Sequence, residues 1–139
     1  MNIKVKRLAC VAKAPTKAHP TDAAFDLYAD TNTIIYPNTT VKITTGLAIE
    51  IPDGYYAQIL GRSSLSSNGV HVTGGVIDSG YRGEWAVLLH CTNKNGWEFK
   101  IGDKIAQFVL HEVPLANILE VNELSNTARG DKGFGSSGA

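Results

Sequence analysis

The feature that most restricts the fold is a succession of short apolar segments, rich in β-branched residues and closed by turn-forming residues. Residues 40–51 alternate between apolar and polar positions and end at the turn Pro52-Asp53-Gly54. Residues 97–101 alternate in the same way, between turns at 93–96 and 102–103. Turn signals recur about every 8 to 12 residues, and no long stretch has helical period. The pattern predicts an all-β sandwich or barrel.

Further strands are predicted throughout the chain, with a loop or a single helical turn over 61–69. The other strand candidates are 3–12, 25–29, 33–36, 55–60, 85–91, 105–110 and 116–121. The length of 139 residues is that of one domain. We assign residues 1–125 to a β-barrel domain. Residues 126–139, with four glycines and one aromatic, are predicted to form a flexible C-terminal tail, because they cannot bury enough surface to fold alone.

Charge and cysteine content exclude several classes of protein. Lys+Arg and Asp+Glu both number 13, so no global charge favours a nucleic acid or an anionic membrane as a partner. No apolar run reaches membrane-spanning length, and the N-terminus has no signal-peptide core. Cys10 and Cys91 each lie in an apolar run without a CxxC partner, which predicts buried free thiols in a reducing compartment. We therefore expect a cytoplasmic or otherwise intracellular protein.

Residues 72–84 concentrate chemically useful groups in one short stretch. Two β-branched runs flank glycine pairs, which predicts a tight hairpin whose tip needs a positive φ angle. Asp78 ends the apolar run and is followed by a Ser-Gly turn, Tyr81 and Arg82. A carboxylate, an aromatic ring and exposed backbone amides suit a small flat ligand. A plain hairpin with an Asp-Ser-Gly turn explains the same residues, because turns favour them.

The tail also carries groups that could bind a phosphate. Residues 129–138 hold glycine amides, hydroxyl groups, a cation and one ring. Residues 130–137 superficially fit a P-loop, but Ser136 stands where that motif needs its lysine, and the chain ends where its helix would begin. On chemistry alone, the tail has two interpretations: it wraps a phosphate group, or it is a segment without function.

Taken together, five motifs in chain order resemble those of the trimeric deoxyuridine triphosphatases (dUTPases), over almost the whole chain. The third and the fifth are the most specific, and the first and the fourth are weak alone. The five motifs are Ala24-Phe25-Asp26-Leu27-Tyr28-Ala29, Gly61-Arg62-Ser63-Ser64-Leu65, Gly75-Val76-Ile77-Asp78-Ser79-Gly80-Tyr81-Arg82-Gly83-Glu84, Gly102-Asp103-Lys104-Ile105-Ala106-Gln107 and the stretch from Arg129-Gly130 to Gly138.

The resemblance implies a jelly-roll-like β subunit that assembles as a homotrimer, with each active site shared between subunits. The implied reaction is the hydrolysis of dUTP to dUMP and pyrophosphate, with Mg²⁺ bound to the triphosphate. Such an enzyme keeps uracil out of DNA and supplies dUMP for thymidylate synthesis. The tail would then be a lid over the site.

The resemblance also implies a role for each motif residue. Asp78 would be the catalytic base that orients and deprotonates a water, as a carboxylate ionised at neutral pH can do. Asp26 would reach Mg²⁺ through a bound water, which suits an ion that keeps several waters. The remaining roles concern the substrate. Triphosphate binding is implied for Arg62, Ser63, Ser64 and Gln107, and for Arg129, Gly135, Ser136 and Ser137 in the tail.

Uracil and deoxyribose would be recognised by the central stretch and the tail. The strand backbone would read uracil, because a strand edge offers donors and acceptors in a fixed order that cytosine cannot match. Tyr81 would lie under the deoxyribose and exclude a 2′-hydroxyl, and Phe134 would stack on uracil. The residues whose backbone would read the base are Val72, Thr73, Gly74, Gly75, Val76 and Ile77.

Three positions depart from the family pattern, and two other functions compete. Ala24 and Ser64 stand where glycine is common, and His71 stands where many members have an acid. A dCTP deaminase shares the fold but carries a glutamate in the strand after the hairpin, where this chain has Leu88. A non-catalytic or regulatory nucleotide-binding trimer is the alternative from another class, against which Asp78, Asp26 and the complete tail argue.

Overall fold

A computed structural model describes residues 1–133 of the chain as eleven short elements, ten of them β-strands. The strands follow the β-branched runs between turns, so the all-β prediction is confirmed. The elements in chain order are β1 Lys4–Arg7, β2 Phe25–Tyr28, β3 Thr33–Ile35, β4 Thr39–Glu50, β5 Tyr55–Leu60, α1 Ser63–Ser66, β6 Val70–Val72, β7 Val76–Asp78, β8 Glu84–Cys91, β9 Trp97–Phe99 and β10 Lys104–Glu112.

Two four-stranded antiparallel sheets enclose the core. One sheet has the order β1-β4-β8-β6, the other has the order β2-β10-β5-β7, and β3 pairs with β9 in a small third sheet. The inward residues of β8 and β10 meet in the middle, where the Trp85 and Phe108 rings pack edge to face with centroids 5.1 Å apart. Both residues are completely buried. The non-sequential strand order is that of a jelly-roll-like sandwich.

The strand predicted over 3–12 is shorter than the pattern suggests. Strand β1 covers Lys4–Arg7, and the chain then turns, with the Ala12 amide donating to the Ala9 carbonyl at 3.2 Å. Cys10 lies in this turn and is exposed, so the prediction that it is buried is wrong. Cys91 ends β8 and is buried as predicted, and neither cysteine is in a disulfide.

The last predicted strand, 116–121, is absent from the described part of the chain. The backbone after β10 has no regular structure from Val113 to the end of the described residues. Its apolar side chains point into solvent: Leu115, Ile118 and Leu124 are each at least 88% exposed. The apolar pattern is real, but within residues 1–133 no strand pairs with it.

The stretch 72–84 is not a two-stranded hairpin, which corrects the prediction. Strand β6 pairs with β8 in one sheet, whereas β7 pairs with β5 in the other, so residues 70–78 cross from sheet to sheet. Gly75 makes the crossing with a φ of +145°, and its carbonyl accepts a 2.7 Å hydrogen bond from the Ile59 amide. The prediction that this stretch needs a positive φ is confirmed, but the glycine lies in the connection between two sheets and not at the tip of a hairpin.

Within residues 1–133, the four-residue α1 is the longest helix, and no helix is long and apolar enough to cross a membrane.

Candidate active site

The first cleft lies beside the sheet crossing, and we call it the base cleft. It has a volume of about 480 Å³. Tyr81 projects into it and is 46% exposed, with its hydroxyl donating to the Glu84 carbonyl at 3.1 Å. A Cβ at Gly83 would collide with the Tyr81 ring, so the glycine leaves the ring its place. The lining residues are Lys42, Thr44, Val76, Ile77, Asp78, Tyr81, Glu84, Trp85, Ala86 and Leu88.

Asp78 ends β7 at the mouth of this cleft and is exposed to solvent. Its carbonyl accepts a hydrogen bond from the Tyr81 amide at 3.1 Å, which closes the turn between the two residues. Arg82 braces the turn from outside, since its Nη1 donates to the Ser79 carbonyl at 2.5 Å and to the Tyr81 carbonyl at 3.2 Å. The turn therefore fixes Asp78 and Tyr81 relative to each other.

A chain of charges links this turn to the first strand. Arg82 Nε lies 3.8 Å from a Glu50 carboxylate oxygen, and Lys4 Nζ lies 2.8 Å from the other. The hydrogen bond from Lys4 and its charge, assisted by the charge of Arg82, hold the pKa of Glu50 below its usual value. All three side chains are well exposed, so the network contributes little to stability.

A small cavity of about 110 Å³ lies behind the crossing, between residues 72–77 and the strands β5 and β8. Strand β7 is the edge of its sheet, so the backbone groups on its outer side have no ladder partner. The Thr73 amide, in contrast, is already bonded to the Leu88 carbonyl at 3.0 Å. The free edge can offer donors and acceptors to a flat heterocycle, and Leu88 flanks it as an apolar side chain 43% exposed.

The second cleft, which we call the phosphate cleft, has a volume of about 500 Å³. At its floor lies Asp26, whose side chain is 13% exposed. Arg62 Nε lies 3.3 Å from one Asp26 oxygen, and Lys104 Nζ lies 2.6 Å from the other. The lining residues are Ala18, Asp22, Ala23, Ala24, Asp26, Leu60, Arg62, Ser63, Ser64, Lys104, Gln107 and Val109.

Strand register explains why these residues meet. Gln107 on β10 lies opposite Asp26 on β2 and, on its other side, opposite Leu60 at the end of β5. Gln107 Nε2 donates to the Gly61 carbonyl at 3.0 Å, which ties the strand to the turn that carries Arg62. Ser63 and Ser64 are exposed in the first turn of α1, where the amides have no acceptor within a helix.

Among residues 1–133 the two clefts share no lining residue; Asp78 in the base cleft pairs with Tyr56 near the start of β5, and Leu60 at the end of β5 lines the phosphate cleft. Asp78 is the register partner of Tyr56, and Arg62 follows six residues further along the chain. A fully extended backbone, at a rise of about 3.4 Å per residue, would place Tyr56 and Arg62 about 20 Å apart, which is an upper bound because β5 ends at Leu60. The structure therefore brings Asp26, Arg62, Ser63, Ser64 and Gln107 together, and Asp78 with Tyr81 together, but does not join the two groups in one chain.

The tail is described as far as residue 133. Arg129 lies in an exposed turn, where its Nε donates to the Lys132 carbonyl at 3.0 Å, and Gly130 has a φ of +57°. The predicted site residues Phe134, Gly135, Ser136 and Ser137 lie outside the described residues.

Asp26 suits an indirect contact with a metal ion. Within residues 1–133, no group of three His, Cys, Asp or Glu side chains could hold a metal ion directly. Each Asp26 oxygen already meets one cation, and a carboxylate has about four lone-pair sites, so room remains for a water. The donor set therefore fits Mg²⁺ that keeps its waters and is carried by substrate phosphates.

Comparison with known proteins decides the family. The family model described as dUTPase matches residues 11–138. The chain belongs to the dUTPase family. A deoxyuridine 5'-triphosphate nucleotidohydrolase of Alkaliphilus metalliredigens is 44% identical, over 99% of this chain and 97% of that protein. The Arabidopsis thaliana protein of the same name is 38% identical, over 97% and 82%.

Solved structures of dUTPases agree with this assignment. The dUTPase of Staphylococcus bacteriophage 80alpha in complex with dUPNHPP superposes with a TM-score of 0.93, at 28% identity and with 99% of each chain covered. The resemblance derived from the five motifs is thus confirmed, and so is the β fold that it implied.

Lys104 is the residue of this dUTPase site to which the sequence analysis gave no role. It stands within the fourth motif, one position after Asp103, but nothing in the spacing indicates that it reaches Asp26. The contact depends on the pairing of β10 with β2 across the intervening residues 29–103, a long-range register that turn signals do not encode.

Proposed function

We propose that the protein is a dUTP diphosphatase that hydrolyses dUTP to dUMP and pyrophosphate. The observation that carries the proposal is the base cleft, in which a free strand edge, an exposed carboxylate and a tyrosine ring converge on a member of the dUTPase family. The names of the curated relatives support the same reaction. Hydrolysis of dUTP would keep uracil out of DNA, and the dUMP formed would be available for thymidylate synthesis.

Asp78 is the general base in this proposal. Its exposed carboxylate accepts a proton from a water that attacks the α-phosphorus, while the P–O bond to the β-phosphate breaks and pyrophosphate leaves. The turn braced by Arg82 holds the carboxylate in place. Positioning of the substrate and neutralisation of its charge then contribute most of the rate enhancement, as in other phosphoryl transfers.

Substrate selection belongs to the same cleft. The free edge of β7, with those backbone groups of residues 72–77 that no hydrogen bond occupies, would match the 4-oxo group and N3–H of uracil, and cytosine would leave buried donors and acceptors unpaired. The cavity of about 110 Å³ leaves little space for a methyl group at C5. The ring of Tyr81 packs against the deoxyribose and excludes a 2′-hydroxyl.

The phosphate cleft binds the triphosphate. Arg62, Ser63, Ser64 and Gln107 donate to its oxygens, which are good acceptors for charged and neutral donors. Mg²⁺ on the phosphates would neutralise charge, and Asp26 would hold it through a water. Asp26, in turn, keeps its orientation through Arg62.

A homotrimer would explain how two separate clefts can act on one substrate molecule. The two clefts have different lining residues, and up to about 20 Å of chain separates the partner of Asp78 from Arg62, so in this proposal Asp78 of one subunit serves the phosphate cleft of another. The exposed apolar segment 113–124 supplies a surface for such an assembly, since large apolar patches mark protein interfaces. We propose active sites shared between subunits.

The tail, residues 126–139, acts as a lid in this proposal. Arg129 meets the γ-phosphate, Phe134 stacks on uracil, and residues 135–137 follow the phosphates. Deletion of residues 127–139 should sharply reduce turnover, because water exclusion and the γ-phosphate contact are lost. The melting temperature without ligand should hardly change. Full turnover by the truncated protein would rule out the lid.

Pyrophosphate release from dUTP, compared with dCTP and UTP, tests the function. We expect rapid release from dUTP alone. Release of ammonia from dCTP would instead indicate a deaminase, which the apolar Leu88 beside the base cleft disfavours. Tight binding of dUTP without release would indicate the regulatory, non-catalytic alternative.

A further inference from the structure

Lys104 is placed in the phosphate cleft by an irregularity of strand β10. The pairing of β10 with β2 shifts register between Lys104 and Ala106, which is a β-bulge. Ile105 and Ala106 are both completely buried, although neighbours in a regular strand point to opposite faces. With regular alternation, Lys104 would point inward with Ala106 and Phe108. The bulge turns it instead to the outer face that Asp26 and Gln107 share.

Bulges of this kind often re-aim a side chain beside a functional site. The cost here is a disrupted ladder at the start of β10, and the result is a lysine that lines the phosphate cleft and has a side chain 37% exposed. The ammonium faces both the carboxylate and the open volume where a polyphosphate would lie.

The charges of the cleft explain what this ammonium adds. Among the described lining residues, Arg62 and Lys104 are cationic and Asp22 and Asp26 are anionic, so the cleft is electrically balanced. Arg62 uses its Nε on Asp26, and Lys104 uses one contact of 2.6 Å. An ammonium has three donors, so Lys104 can keep Asp26 and still donate to a phosphate oxygen.

We propose that Lys104 is a further polyphosphate-binding residue, whose ammonium Asp26 holds at the phosphate cleft. The inference rests on the proposed function, since it concerns the same substrate. Lys104 can contact both groups, but the Asp26 carboxylate offsets the charge of the ammonium and so lowers its attraction for the triphosphate.

Binding of dUPNHPP and of dUMP to the full-length protein, measured by calorimetry in EDTA, tests the proposal. Lys104→Met should weaken dUPNHPP binding about 10-fold, the effect expected for one charge-assisted hydrogen bond. Binding of dUMP, which lacks the β- and γ-phosphates, should change less than about twofold. Lys104→Arg should recover part of the loss. Lys100→Met, at an exposed lysine in the preceding turn, is the matched control and should bind both as wild type does.

A second variant separates binding from a structural role. Asp26→Asn should strengthen dUPNHPP binding in EDTA, because it releases Lys104 and removes a negative charge. In the double variant the gain should be clearly smaller, since only the removal of the negative charge remains and no ammonium is released. Equal losses for dUPNHPP and dUMP, or an undiminished gain in the double variant, would overturn the proposal. Failure of the wild type to hydrolyse dUTP would instead refute the proposed function.

Discussion

At the scale of single residues, Asp78 combines exposure with a rigid backbone. Asp78→Asn keeps the shape of the turn but removes the proton acceptor, so turnover of dUTP should fall by about 10²–10⁴-fold. Binding of dUPNHPP should be nearly unchanged, because the isosteric amide keeps the cleft intact. Steady-state pyrophosphate release and calorimetry measure the two effects. Asp53→Asn, in the exposed turn before β5, is the control. Near-normal turnover by Asp78→Asn would exclude Asp78 as the base.

Tyr81 offers a second residue-scale prediction, about sugar selection. Tyr81→Ala removes the ring that would exclude a 2′-hydroxyl, so the ratio of kcat/KM for dUTP to that for UTP should narrow at least about tenfold. Tyr81→Phe keeps the ring and loses only the hydroxyl that donates to the Glu84 carbonyl, so it should retain the wild-type ratio. An unchanged ratio in Tyr81→Ala would assign the sugar selection to another group.

At the scale of elements, the crossing between the sheets depends on Gly75. A Cβ at this position would lie 2.7 Å from the Ile59 carbonyl oxygen, and the φ of +145° disfavours any side chain. Gly75→Ala should therefore lower the free energy of unfolding by about 1–3 kcal/mol and shift the backbone that faces the base cleft. Thermal denaturation and dUMP binding measure these changes.

Gly80 provides the matched control for this substitution. It lies in the same stretch, and nothing stands within 4 Å of an added Cβ. Gly80→Ala should change the free energy of unfolding by less than about 0.5 kcal/mol. If the two variants were equally stable, steric crowding at the crossing would not explain why glycine occupies position 75.

The elements also show where patterns in the sequence mislead. The apolar alternation of 116–121 resembles that of a strand, yet the described segment pairs with nothing in its own chain. The glycine pairs of 72–84 resemble a hairpin tip, yet β6 and β7 belong to different sheets. For residues 72–84 the pattern locates strand residues correctly, whereas residues 116–121 form no strand in the described part of the chain. The local pattern carries no information on which strand is the partner, because pairing is a long-range contact.

At the scale of the whole molecule, the separation of the clefts makes a prediction about mixed assemblies. Asp78→Asn and Arg62→Ala should each be nearly inactive alone. Co-expressed with different tags and purified through both, they should regain activity, because one subunit supplies Asp78 and another supplies Arg62. Each mixed trimer that carries both tags has one of its three interfaces with both intact residues, so about a third of the sites should be restored. Mixed assemblies no more active than the separate variants would show that both residues serve a site within one chain.

The sequence by itself determined the fold class, the positions of most strands and the family, because each rests on local signals: β-branched alternation, turn residues and five short motifs. It also singled out Asp78, Tyr81, Asp26 and Arg62 by type and order. Only the tertiary structure decided that the base and phosphate clefts lie at opposite ends of β5, that Cys10 is exposed, and that a bulge turns Lys104 toward Asp26. These facts depend on register between strands distant in the chain, where one residue of slip reverses the face of every side chain.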